Sequence, residues 1–283
     1  MIPNNFEYHR ANSVEEAITM LKQYGDDAKV LSGGHSLIPT LKLRLNDPEH
    51  LIDIGKISDL RYIRHEGNEI AIGANSTHAD VAFHALIEEH LPLMAQAGRL
   101  IGDVQVRNRG TIGGSIAHAD PAADWPATLL ATDATVVITG DAGKRSVAAG
   151  DFFKGLYYTD LGEAELVTEI RIPVPPAGTR SAYLKFMQPA SRFAIVGCAV
   201  MISGNGTVSN ARVAFNGVSA TPFRDKGVED ALVGKAADSD TIAAAAAHAA
   251  SGQSVMSDHF ASEDYRTHLA KVYARKALQA AAN

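Results

Sequence analysis

Hydrophobic residues at Val14, Ala17, Ile18 and Leu21 recur at helical spacing and predict an amphipathic helix. Ser13-Val14-Glu15-Glu16 reads as its capping box, the Ser13 hydroxyl accepting from the Glu16 amide while Glu16 bonds back. Gly25 ends it. Lys29-Val30-Leu31 predicts a short strand, followed by Ser32-Gly33-Gly34-His35-Ser36 and a mixed segment from Leu37 to Leu45. Leu51-Ile52-Asp53-Ile54 is the next strand, so the opening third is β-α-β in character.

From Leu60 to Gly73 the period shifts to alternation, with Gly67-Asn68 as a hairpin turn. Thr77 to Ile87 and Leu93 to Leu100 return to helical spacing. Ala134–Ile138 reads as a buried strand and Gly140-Asp141-Ala142-Gly143 as a hairpin signal. Pro173-Val174-Pro175-Pro176, rigid and poor in donors, is the best boundary in the chain. Strands follow at Tyr183–Met187, Phe193–Ser203 and Val208–Val218, with Asn205-Gly206 turning between the last two. The tail is helical at Val228–Leu232, Thr241–Ala250 and Glu263–Ala281, the last opened by Ser262 as N-cap. The alanine run reads as a small-residue packing face. The expected architecture is α+β, split near residue 175: residues 1–175 with lobes of about 1–55 and 56–175, then 176–283.

Composition narrows the function. The 283 residues carry 26 Lys+Arg against 32 Asp+Glu, a formal charge of −6, which gives no electrostatic reason to expect nucleic acid. A single cysteine, Cys198, excludes a disulfide framework, a thiolate zinc site or an iron–sulfur cluster held by this chain alone. Within Ala194–Val200, Cys198 reads as a buried strand residue. The apolar run Ala194–Ile202 is far short of the ~20 residues a bilayer requires. The start, MIPNNFEYHR, lacks the build of a signal peptide, so a cytoplasmic chain without a membrane span is expected. Neither G-x-G-x-x-G nor G-x-x-x-x-G-K-[ST] occurs, nor do H-E-x-x-H or G-x-S-x-G.

Two glycine pairs carry the candidate chemistry. Ser32-Gly33-Gly34-His35-Ser36 follows a strand, and Thr111-Ile112-Gly113-Gly114-Ser115 follows Arg107 and Arg109. Adjacent glycines let an anion approach the main chain, and successive amides in such bends form an anion nest. Ser32, Ser36, Thr111 and Ser115 add hydroxyls. Two facing nests would fit a pyrophosphate. Either pair alone reads more simply as a tight turn closing a strand; the two together shift the balance toward a site. Asp120-Pro121 reads as N-cap and N1 of a helix with Asp124 in its first turn. Asp124 could complement the helix dipole or accept from a ligand, and the pattern leaves both open.

The segments LSGGHSLIPTLKLRL (31–45) and VRNRGTIGGSIAHADPAADWPA (106–127) resemble the FAD-binding medium subunits of molybdenum hydroxylases, the xanthine dehydrogenase and aerobic carbon monoxide dehydrogenase family. The likeness continues through LVTEIRIP (166–173), YLKF (183–186), AIVGCAV (194–200), TPFR (221–224) and YRTHLAKVYARKAL (265–278), essentially the whole chain. The resemblance implies a two-lobed FAD-binding domain of the PCMH type, a small α/β lobe and a larger mixed β lobe. A C-terminal domain with a three-stranded antiparallel sheet and helical bundle follows. It implies non-covalent FAD between the lobes, with residues 32–36 and 111–115 at its pyrophosphate. Asp124 matches a family FAD contact, Val167 a residue packing near the flavin ring, and Lys185 another ring-side contact. Gln188–Phe193 differs in length from the xanthine dehydrogenase pattern.

The implied role is electron transfer without a side-chain catalyst, FAD carrying the redox chemistry. A small partner subunit carries two two-iron clusters and a large one the molybdenum cofactor, commonly as a dimer of heterotrimers. An external quinone, NAD or dioxygen receives the electrons. The rival reading begins at His35: Gly-Gly-His also resembles vanillyl-alcohol-oxidase-type flavoproteins, some with FAD tethered through histidine, which would make the chain a free-standing flavin oxidase.

Overall fold

A computed structural model describes residues 1–283. The first lobe runs β1 (Glu7–Arg10), α1 (Val14–Tyr24), β2 (Ala28–Leu31), α2 (Leu37–Lys42) and β3 (His50–Asp53). Its strands form a parallel sheet in the order β1-β3-β2. β1 is mostly exposed and has no apolar alternation, so periodicity did not reveal it. The Ser13 hydroxyl accepts from the Glu16 amide at 3.1 Å, as expected. The return bond falls one residue earlier than a capping box requires, with Glu16 accepting from the Asn12 amide at 2.7 Å. Ala17, Ile18 and Leu21 of α1 pack on Ile52, Ile54 and Leu60 to form this lobe's core.

The second lobe opens with the hairpin β4 (Ile63–Glu66) and β5 (Glu69–Gly73). Six short helices follow: α3 (His78–Ala82), α4 (Ala85–His90), α5 (Pro92–Leu100), α6 (Val104–Arg107), α7 (Ile112–His118) and α8 (Asp124–Ala131). The helix expected over Thr77–Ile87 breaks at Phe83, because the His84 ring accepts from the Leu86 amide and starts a new helix. The helix expected at Asp120-Pro121 begins instead at Asp124; Asp120 closes a tight turn by accepting from the Ala122 amide at 2.8 Å. Then come β6 (Thr135–Gly140), β7 (Gly143–Ala148), α9 (Ala149–Phe152), the small hairpin β8 (Phe153–Gly155) and β9 (Tyr158–Thr159), and β10 (Leu166–Pro173). The sheet order is β4-β5-β10-β6-β7, with β10 antiparallel to both neighbours at its centre. Ile70, Ile72, Val136, Ile138, Ile170 and Trp125 lie in one core.

The last third is an antiparallel sheet of β11 (Arg180–Met187), β12 (Ala194–Ser203), β13 (Asn210–Asn216) and β14 (Phe223–Arg224), with α10 (Lys226–Leu232), α11 (Ser239–Ala246) and α12 (Glu263–Ala282). The two-residue β14 adds a fourth strand to the three expected. Period-two alternation divides this sheet between two cores. Tyr183, Ala199, Met201 and Ala214 join the core of the second lobe. Cys198, Val200, Val213 and Phe215 pack with Leu269, Ala270 and Leu278 of α12. Ala245, Ala246, Ala249 and Ala250 are buried, so the alanine run is a packing face, although its helix ends at Ala246. Cys198 is fully buried, and burial pushes its thiol well above the usual range. No helix is long and apolar enough to cross a membrane.

Candidate functional site: a cofactor cleft between two bends

A cleft of about 480 Å³ opens where the two lobes meet, a size typical of ligand sites. The first bend leaves β2 directly. Its main-chain amides at Gly33, Gly34, His35 and Ser36 donate to no protein acceptor, so four consecutive donors remain for a ligand. Gly34, at φ +76, supplies the left-handed turn that fans them. Gly33 is glycine for a different reason. A Cβ there would lie 2.1 Å from the Arg109 carbonyl oxygen and 2.8 Å from Gly110 Cα, so the bends touch at this residue.

The second bend departs from the facing-nest expectation, because the amides of Ile112, Gly113, Gly114 and Ser115 are already taken. Those of Ile112 and Gly113 donate to the Ser76 and Ala74 carbonyls at 3.0 and 2.9 Å. Thr111 is the N-cap of α7; its hydroxyl accepts from Gly114 at 3.2 Å and its carbonyl from Ser115 at 3.0 Å. What the bend offers is the start of a helix, exposed main chain at Gly114 and the Ser115 hydroxyl. Ser36 and Ser115 hydroxyls have no protein partner, whereas those of Ser32 and Thr111 bond each other at 2.9 Å. Ser32 donates onward to Asn75 Oδ1 at 2.7 Å, and Asn75 Nδ2 donates to the Ile54 carbonyl at 2.7 Å. The buried Asn75 thereby pins the lobes together, a role with no sequence signal beyond its place ahead of the Thr77 cap.

Eleven of the thirteen sequence-derived candidates line the cleft: Ser32, Gly33, Gly34, His35, Ser36, Thr111, Gly113, Gly114, Ser115, Asp124 and Val167. Ile112 does not; it is fully buried in the core. Lys185 does not either. Its ammonium directs its three protons at Asp124 Oδ2 (2.8 Å), the Leu100 carbonyl (2.9 Å) and the Arg192 carbonyl (2.7 Å). Asp124 also accepts from the Tyr183 hydroxyl. Burial pushes the Asp124 carboxyl up, and the Lys185 ammonium works against it. Val167 sits beside a bulge in β10, which aims the strand's start at the cleft.

His78, not singled out from the sequence, also lines the cleft. The only tryptophan, Trp125, donates from its indole to His78 Nδ1 at 3.0 Å, which leaves the proton on Nε2, against Gly110. Burial lowers His78 to about 3, so it is neutral at ordinary pH. Lys29 and Arg192 are the only Lys or Arg side chains lining the cleft, so an anion there meets dipoles more than charges.

Fold and cleft together define a two-lobed dinucleotide-binding domain with an attached sheet-and-helix domain. Two family profiles match the chain: FAD binding domain in molybdopterin dehydrogenase over residues 4–175, and CO dehydrogenase flavoprotein C-terminal domain over residues 181–281. The carbon monoxide dehydrogenase medium chain of Hydrogenophaga pseudoflava is 45% identical over 282 residues, covering 99% of this chain and 98% of that one. The glyceraldehyde dehydrogenase medium chain of Sulfolobus acidocaldarius is 39% identical, covering 99% of each. A solved structure of the Hydrogenophaga pseudoflava carbon monoxide dehydrogenase matches with a TM-score of 0.96 at 46% identity, over 99% of this chain and 98% of that one. The chain belongs to the FAD-binding medium subunits of molybdenum hydroxylases of the CO dehydrogenase and xanthine dehydrogenase type, a family of oxidoreductase flavoproteins.

Proposed function

We propose that the chain binds FAD non-covalently in this cleft and relays electrons within a heteromeric molybdenum hydroxylase. The two-iron clusters of a small partner subunit are the donors, a large partner subunit holds the molybdenum cofactor, and an external quinone, NAD or dioxygen is the acceptor. The four free amides of Gly33–Ser36, opposite the Ser115 hydroxyl, carry this reading: they fit a diphosphate that needs many donors and few cations. The near-complete overlap with medium chains supports the division of labour among subunits. FAD, when bound, supplies the redox chemistry.

The residues of the chain bind and orient. Gly33–Ser36 and Ser115 hold the diphosphate, and Asn75 fixes the spacing of the lobes. Asp124 keeps lone pairs free to accept from the ligand, and Val167 offers an apolar contact near the ring. Lys185 acts through Asp124 and the Arg192–Phe193 loop instead of touching the ring. His35 bonds the carbonyl of its own bend, Nδ1 to Gly33 oxygen at 3.1 Å, which supports a positioning role over a covalent tether.

Purified apo-chain titrated with FAD is expected to take up one equivalent and to release it into the supernatant on acid precipitation. Yellow colour retained in the pellet would favour the His35 tether, and failure to take up FAD would refute the site. Isolation of the chain from its source with metal analysis is expected to recover iron- and molybdenum-containing subunits.

A further inference from the structure

We propose that Glu7, His9 and His50 form a divalent metal site of the zinc class on the first lobe, apart from the cofactor cleft. β1 and β3 are parallel with Glu7 opposite His50, and His9 lies two residues further along β1. Period-two alternation therefore turns all three side chains to one face of the sheet. His9 Nε2 lies 3.0 Å from His50 Nδ1. Glu7 Oε2 lies 3.8 Å from the first and 3.6 Å from the second. Three ligands of a tetrahedral ion, each about 2.0–2.2 Å from it, are separated by about 3.3–3.5 Å. The triangle of 3.0, 3.6 and 3.8 Å brackets that value: a small rotation of the exposed Glu7 shortens its two sides, and the imidazole nitrogens part by about 0.3–0.5 Å.

Two further features prepare the site. Tyr24, the last residue of α1, stacks on His50 with centroids 3.9 Å apart and on His9 at 4.8 Å, fixing both rings. Its position also brings the negative end of the α1 dipole to the same corner, which favours a cation. In the metal-free pair one imidazole donates its N–H to the other's lone pair. The ion takes both lone pairs, and the donating ring shifts its proton to its outer nitrogen, with no net proton change. Two imidazoles and a carboxylate select zinc, nickel or copper over magnesium or calcium, with water completing the coordination. The bound ion ties the N-terminal strand to β3.

The full-length chain titrated with Zn²⁺ in a calorimeter is expected to bind one equivalent. His9→Ala and His50→Ala should weaken it by more than the about 10–100-fold that loss of a group merely supporting a ligand costs, and His65→Ala, on β4, should change nothing. Co²⁺ in place of Zn²⁺ should give the intense visible absorption of a low-coordinate nitrogen-ligated ion. If His50→Ala does not fold, Glu7→Gln and His9→Gln carry the test, since Glu7 is exposed and glutamine keeps much of the bulk and polarity at residue 9. Absence of saturable binding, or equal affinity in wild type and the His9 and Glu7 variants, would overturn the site. The titration is read with and without FAD, so failure of flavin binding leaves this result independent.

Discussion

Alanine at Gly33 places one methyl group where the two bends touch. The added carbon would sit 2.1 Å from the Arg109 carbonyl oxygen, whereas ordinary contact begins near 3.4 Å. The obstacle is main chain on both sides, so no side chain can swing away, and the bends must part by rather more than about 1 Å. Overpacking of this kind costs about 1–3 kcal/mol. It also draws the free amides of Gly33–Ser36 away from the Ser115 hydroxyl with which they are proposed to share the diphosphate. If the relaxed apo-protein must regain the wild-type spacing to bind, that cost falls on binding, and at 1.4 kcal/mol per tenfold the FAD dissociation constant should rise by about 5–150-fold. Quenching of flavin fluorescence on titrating apo-protein measures this, with a thermal melt run in parallel. Gly150→Ala is the control, because a Cβ at Gly150 meets nothing within 4 Å. If Gly33→Ala binds FAD within about twofold of the wild type, the joint between the bends does not govern the site, and the reasoning fails.

Asn75→Ala strips the pin from between the lobes; losing its bonds to the Ser32 hydroxyl and the Ile54 carbonyl, at about 0.5–1.5 kcal/mol each, should cost about 1–3 kcal/mol in urea denaturation and weaken FAD. An unchanged midpoint and affinity would remove Asn75 from the account. Lys185→Met strands the buried Asp124 carboxylate and should cost about 3–5 kcal/mol, partly recovered by adding Asp124→Asn. Equal losses in single and double variants would contradict this. His78 titrates at about 3 in the fold against 6.5 in a free chain, so the unfolded state takes a proton the native state refuses. Its contribution is whole above pH 6.5 and is lost as pH falls toward 3, at up to about 1.4 kcal/mol per unit. Stability should drop less between pH 7 and pH 5 in His78→Gln than in the wild type; parallel pH profiles would exclude His78 as the cause.

Much of the fold was legible because periodicity survives wherever one face is buried. The α1 face, the Gly67-Asn68 hairpin and the strands of the last sheet all carry that signature. β1 was not legible, since Glu-Tyr-His-Arg is held by main-chain pairing along a solvated edge. The place of β10 between β5 and β6 was hidden too, because sheet order is set by contacts distant in sequence. Within the cleft, glycine pairs pointed to both bends, but which amides stay free depends on partners such as the Ala74 and Ser76 carbonyls. Lys185 illustrates the same limit: the resemblance implies a ring-side contact, while its ammonium donates to three neighbouring oxygens.

The Asp124–Lys185–Tyr183 link has a consequence for dissecting the molecule. It joins the first residue of α8 to β11, so the floor of the cofactor cleft is buttressed from beyond the Pro-rich boundary. A fragment cut at residue 175 would keep the four free amides of Gly33–Ser36 yet inherit an orphaned acid and a bare apolar flank where Tyr183, Ala199 and Met201 had been. The two halves are thus coupled at the cleft, and a fragment ending at residue 175 should melt below the whole chain even though its sequence signature ends cleanly.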